Sequence, residues 1–102
     1  MQNKFLQFLG LIKKSGNLIE GYNKCEEMFS KNKLYLLIIS TDCSDNTRDK
    51  FIRYCEKYKV PYIEAYTKEE LAQNLGRAEI NILAVSNKMM GEKLLQLWNE
   101  KE

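Results

Sequence analysis

The stretch "EGYNKCEEMF", residues 20–29, opens an expected helix on Gly-Tyr-Asn-Lys, without an acidic cap and with a basic side chain in its first turn. A helix N-terminus already carries partial positive charge from its unpaired amides and macrodipole, so a lysine there gives up some helix stability. Such an end suits an incoming anion better than self-closure. If Tyr22, Cys25 and Phe29 form the buried side, Asn23, Lys24 and Glu27 share the opposite face at i, i+1 and i+4. Gly21 at the N-cap permits close backbone approach, Asn23 offers donors and acceptors, and Lys24 offers charge. Together they could hold phosphates and the edges of exposed bases. The same pattern also reads as a plain solvated helix face.

Other chemistry is thinner. The chain has no histidine, which removes His-dependent triads and the common zinc sites. Cys25, Cys43 and Cys55 form an odd set with no close pair, so neither a disulfide framework nor a CxxC redox motif is expected. Cys25 and Cys55 fall on apolar helix faces, whereas Cys43 lies among acidic neighbours that make a poor nucleophile of it. Asp42, Asp45 and Asp49 read better as turn and helix-start residues than as magnesium ligands. Tyr35, Tyr54, Tyr58, Tyr62 and Tyr66 could stack on single-stranded bases, yet most occupy buried or half-buried pattern positions. No phosphate-binding glycine motif, framed carboxylate pair or nucleophile–base pair is present. The reading is a binding protein rather than an enzyme, with no cofactor and no metal.

The elements that must position these residues follow from periodicity. Phe5, Phe8, Leu9 and Ile12 predict a helix over 3–14, stopped by Gly16. "NLIE" (17–20) predicts a short strand, residues 21–30 a helix, and "LYLLIIS" (34–40), which lacks polar alternation, a strand covered on both faces. Phe51, Tyr54, Cys55 and Tyr58 predict a helix over 47–58, and "VPYIEAY" (60–66) a strand with its proline near the start. Thr67 and Glu70 form a capping-box signature ahead of a helix that Gly76 ends. "NILAVS" (81–86) predicts another buried strand, and Ser86 or Asn87 caps a last helix with Met90, Leu94, Leu97 and Trp98 on one face. Strands separated by single helices predict an α/β fold, a three-layer α/β/α sandwich with a four-stranded mixed sheet and five helices.

At 102 residues, 44% hydrophobic and 29% charged, the chain is expected to form one domain over 1–102. Its longest apolar run, "LYLLII" (34–39), is too short to cross a bilayer. "MQNKFLQFLGLIKK" lacks a small-residue cleavage site and is expected to be a helix of a mature, cytoplasmic protein. The net charge of +2 is modest, but residues 1–37 carry six lysines against three glutamates, so the positive excess surrounds the helix start at Gly21.

The phrases "FLGLIKKSGNLIEGYNKC" (8–25), "LYLLIISTDCSDNT" (34–47), "YCEKYKVPY" (54–62), "TKEELAQNLGR" (67–77) and "ILAVSNK" (82–88) carry a resemblance in their order and spacing. Together they resemble the kink-turn-binding ribosomal proteins, the family of the archaeal large-subunit protein L-seven-Ae with its small bacterial YlxQ-type members. In that family a glycine-started second helix carries Gly-x-Asn-(Glu/Gln)-x-x-Lys against the sheared G·A pairs of a kinked RNA. Gly21 and Asn23 match, but Lys24 stands where Glu or Gln is usual and Glu27 where Lys is usual. The exchange turns an acceptor for a guanine edge into a cation and a phosphate-binding lysine into a carboxylate.

The resemblance implies a second contact at the loop after the fourth helix, here the short "LGRAEIN" (75–81) with Gly76 and Arg77. Lys13 and Lys14 at the end of the first helix, and Thr41 and Asp42 in a turn, border the same edge. For the two lysines a solvated helix end is the competing reading. The implied partner is structured RNA, ribosomal RNA included, with a protein partner in a ribonucleoprotein and neither DNA nor membrane. The alternative is a protein-interaction module on the same fold that has lost specific RNA recognition.

Overall fold

The computed structural model describes residues 3–100. Its first helix, α1 (Lys4–Lys14), buries Phe5, Leu6, Leu9 and Ile12 and starts at Asn3, whose side chain accepts the Leu6 amide at 3.0 Å. Gly16, at φ +83°, then turns the chain into β1 (Leu18–Glu20). There follow α2 (Tyr22–Phe29), β2 (Leu36–Ile39), α3 (Asp45–Tyr58) and β3 (Tyr62–Glu64). The chain closes with α4 (Lys68–Ala72), β4 (Ile82–Val85) and α5 (Lys88–Asn99). Local chemistry explains the helix starts: Ser44 caps α3, Thr67 and Glu70 form the expected capping box on α4, and Asn87 caps α5.

The sheet order is β1-β4-β2-β3. Strands β2 and β3, joined through α3, run parallel as a βαβ crossover requires, while β4 lies antiparallel to both β1 and β2. All eight residues of β2 and β4 are buried, and period-two alternation divides them between two cores. Leu36, Ile38, Leu83 and Val85 pack with α1, α4 and α5; Leu37, Ile39, Ile82 and Ala84 pack with α2 and α3. This is the expected three-layer α/β/α arrangement around a mixed sheet.

Some boundaries differ from expectation. Strand β2 begins at Leu36 rather than at 34, because Tyr35 turns outward and is 39% exposed. Pro61 precedes β3, but its carbonyl still accepts the Leu37 amide at 2.9 Å. Helix α3 starts earlier than 47 because Ser44 supplies the cap. Helix α4 ends at Ala72, so Gly76, at φ +71°, belongs to a turn beyond it. Tyr22, expected on the buried side of α2, is 37% exposed: its ring meets the core in a T-shaped contact with Phe51, the ring centroids 5.1 Å apart.

Candidate functional site

Helix α2 starts as an open end. Gly21 sits at φ +101° and ψ 165°, and no side chain caps the turn that follows. Its amide donates to the Ile82 carbonyl at 2.9 Å and its carbonyl accepts the Cys25 amide at 3.1 Å. The backbone is therefore fixed while the first-turn N–H groups lack a side-chain acceptor, the arrangement that receives an anion. Asn23, Lys24 and Glu27 are exposed, and among the described residues their side chains have no hydrogen-bond or ion-pair partner.

The underside of the same turn is pinned to α3. The Lys50 ammonium donates to the Tyr22 hydroxyl at 2.6 Å and pairs with Glu26 at 2.6 Å, and the Tyr54 hydroxyl donates to the same Glu26 oxygen at 2.6 Å. Lys50 lies over the Tyr22 ring, 4.9 Å from its centroid. Its hydrogen bond, followed by that of Tyr54, holds the Glu26 carboxyl below its ordinary range.

A second cluster forms around Glu20, the residue before Gly21. Lys13, from the end of α1, pairs with Glu20 at 3.3 Å and donates to the Leu75 carbonyl at 2.5 Å. Arg77 donates through Nε to Glu20 Oε1 at 2.6 Å, the oxygen that also accepts the Lys13 ammonium at 3.4 Å. Lys13 is thus more than a solvated helix end: it joins α1 to β1 and to the loop between α4 and β4. Lys14 is exposed and does not reach Glu20; it lines a groove of about 820 Å³ with Gln7, Gly10 and Leu11.

The turn after β2 closes the third side. Thr41 is committed to Tyr66, donating its amide at 2.8 Å and its hydroxyl at 3.2 Å to that carbonyl. Asp42 accepts the Lys68 amide at 2.9 Å, which holds its carboxyl below the usual value and makes it a brace for the start of α4. A cleft of about 500 Å³ runs between Gly21, Tyr22, Asp42, Lys68 and Asn81. Its wall is stiffened by buried Ser40, whose hydroxyl donates to Asn81 Oδ1 at 2.6 Å. The starts of α2, α3 and α4 all line this cleft, through Gly21, Ser44 and Lys68.

The structure therefore gathers Gly21, Lys13 and Arg77 around Glu20, and sets Gly21 across a cleft from Asp42. Asn23, Lys24 and Glu27 stand outward on α2, Gly76 shapes the loop that carries Arg77, and Lys14 stays apart. Sequence reasoning missed Glu20, Lys50 and Asn81. An acidic residue directly before the N-cap glycine was the one available signal for Glu20; nothing local marks the other two.

No group of three or more His, Cys, Asp or Glu among the described residues could hold a metal ion. Cys25 and Cys55 are buried, and burial pushes both thiols up to about 12. Cys43 is half-buried, and burial raises its pKa ahead of the charge of Asp42. Among the described residues no helix is long and apolar enough to cross a membrane.

Fold and site together define a small α/β/α protein that presents an open helix start beside a cation-bearing loop. The chain belongs to the ribosomal protein L7Ae/L30e/S12e/Gadd45 family, which it matches over residues 3–95. It is similar to the RNA-binding protein YlxQ of Bacillus subtilis (strain 168), 24% identical over 94 residues that span 92% of this chain and 94% of that one. It is also similar to the RNA-binding protein YlxQ of Enterococcus faecium, 26% identical over 76 residues covering 74% of each chain.

Solved structures share the fold. A protein of unknown function from Bacillus halodurans C superposes with a TM-score of 0.93 at 24% identity, covering 97% of this chain and all 100% of that one. A 15.5kD RNA-binding protein of Giardia lamblia superposes with a TM-score of 0.76 at 17% identity, covering 93% of this chain and 82% of that one.

Proposed function

We propose that this chain is a small, ribosomal-protein-like RNA-binding protein that docks the start of α2 and the Gly76–Arg77 loop against structured RNA of the kink-turn type. The observation that carries the reading is the uncapped, backbone-fixed turn at Gly21, with Asn23 and Lys24 exposed and unpartnered among the described residues. Membership of the family and the names of the YlxQ relatives support RNA as the partner.

In this reading the free amides of the α2 turn and Lys24 hold phosphate, and Asn23 contacts a base edge or a ribose 2′-hydroxyl. Arg77 adds a planar fork for a second phosphate, and Gly76 lets the loop lie close to extruded nucleotides. Lys13 and Lys14 supply background field, and Thr41 and Asp42 shape the border. Glu27, one turn further along α2, repels phosphate and so marks where the track ends. The protein acts by binding, with no cofactor and no bond chemistry, as one domain over 1–102 in the cytoplasm. Ribosomal RNA and a ribonucleoprotein partner are within its scope.

The test is the double variant N23A/K24A. Both side chains are exposed, so the melting temperature should hold while affinity for a kinked RNA falls on the order of tenfold or more. Unchanged affinity would place the RNA elsewhere on the molecule. One observation favours a second reading, a protein-interaction module without specific RNA recognition: a carboxylate at Glu27 where the family carries lysine. Capture of a protein partner that survives nuclease treatment, with no RNA enriched, would support it instead.

A further inference from the structure

Glu20 is the least solvated member of the charged cluster, its side chain 13% exposed beneath Lys13 at 38% and Arg77 at 46%. It belongs to β1, which is hydrogen-bonded along β4 with Glu20 opposite Leu83, so its backbone cannot follow a mobile loop. Both cations reach the carboxylate: the Lys13 ammonium lies 3.3 Å from Oε2 and donates to Oε1 at 3.4 Å, and Oε1 also accepts Arg77 Nε at 2.6 Å. Lys13 also holds the Leu75 carbonyl at 2.5 Å. The loop after α4 is thus tied twice to one strand end, once through Lys13 and once through Arg77.

The mode of grip matters. Glu20 takes Arg77 by Nε alone, and among the described residues the two terminal nitrogens of that guanidinium have no partner. A guanidinium held at its inner edge keeps its outer edge free for a planar, bidentate anion. The carboxylate therefore does not sit where a phosphate would. It leaves the fork partly exposed, anchored to the residue that precedes Gly21 in the chain.

We infer that Glu20 is a positioning residue for RNA: it fixes Arg77 at the mouth of the α2 site so that the terminal nitrogens meet a phosphate of the bound RNA. The inference rests on the RNA-binding reading. It sets an acidic residue in favour of binding a polyanion, which is opposite in sign to simple charge repulsion.

The experiment is a double-mutant cycle on the full chain, titrating a kink-turn RNA with wild type, E20A, R77A and E20A/R77A. E20A and R77A should each weaken binding about tenfold, and the double variant should be no weaker than R77A. E20Q keeps a carbonyl acceptor for Nε and should recover most of the affinity; if E20A folds poorly, E20L, close in size and without an acceptor, takes its place in the cycle. In RNA-free protein, the Arg77 Nε–H resonance should be slow to exchange in wild type and E20Q, and fast in E20A.

Affinity that is unchanged or tighter in E20A, or additive losses in the double variant, would overturn the inference and leave the RNA reading intact. A wild-type protein that binds no RNA would overturn the reading and the inference with it, even if the Arg77 resonance responds as expected.

Discussion

Gly21 donates its backbone N–H to the carbonyl of Ile82 at 2.9 Å, tying the start of α2 to the first residue of β4. That bond holds Gly21 at φ +101° and ψ 165°, in a region that side chains with a Cβ rarely enter. A Cβ there would meet nothing within 4 Å, so the cost of G21A is backbone strain rather than a clash. We expect a loss of about 1–3 kcal/mol in denaturant unfolding. RNA affinity should fall further than stability, because relaxing the strain rotates the open amides away from their target. Unfolding and RNA titration of the same variant check both parts.

Acid should destabilise the protein through three carboxylates. Glu64 is held low first by its hydrogen bond from Arg48, which grips both oxygens at 2.9 and 2.8 Å. Glu26 is held low by Lys50 and then Tyr54, and Asp42 by the Lys68 amide. Because each folded value is depressed, the stabilisation is fully present above the ordinary values of 4.5 for the glutamates and 3.8 for Asp42. It is lost as pH falls through the lower folded values. A melting-temperature profile should be flat above about pH 5 and drop below it. The E26Q/E64Q variant should start lower and fall less steeply.

The three thiols should divide by burial. Cys25 at 0% exposure and Cys55 at 2%, both pushed up to about 12, should stay silent toward an aromatic disulfide reagent at about pH 8. Half-buried Cys43 should react alone and slowly, since burial and then Asp42 raise its pKa. Thiol counting should give one group in the native protein and three in denaturant.

Much of this fold is readable from the chain because its determinants are local. Phe5, Leu9 and Ile12 mark a helix by spacing alone, Thr67 and Glu70 close a capping box three residues apart, and the unbroken apolar run of β2 announces a strand buried on both faces. Tyr22 escapes that logic, because a tyrosine can pack its ring against Phe51 and still offer its hydroxyl to Lys50. The site is only half readable. Gly21 announces itself by type and position, but Glu20 owes its role to Arg77, 57 residues away. No periodicity in the chain encodes a meeting that depends on how a loop returns to the sheet. Lys13 looks like any helix-end lysine until the Leu75 carbonyl arrives beside it.

The central claim is that the open start of α2 reads the shape of folded RNA. The most direct measurement is a binding titration against a kink-turn RNA and a fully paired duplex of equal length, each at low and at moderate salt. Exposed lysines alone would give salt-sensitive binding to both. We predict tighter binding to the kinked RNA, with a preference that persists as salt rises. Equal affinity for the two RNAs, vanishing together at the higher salt, would contradict it.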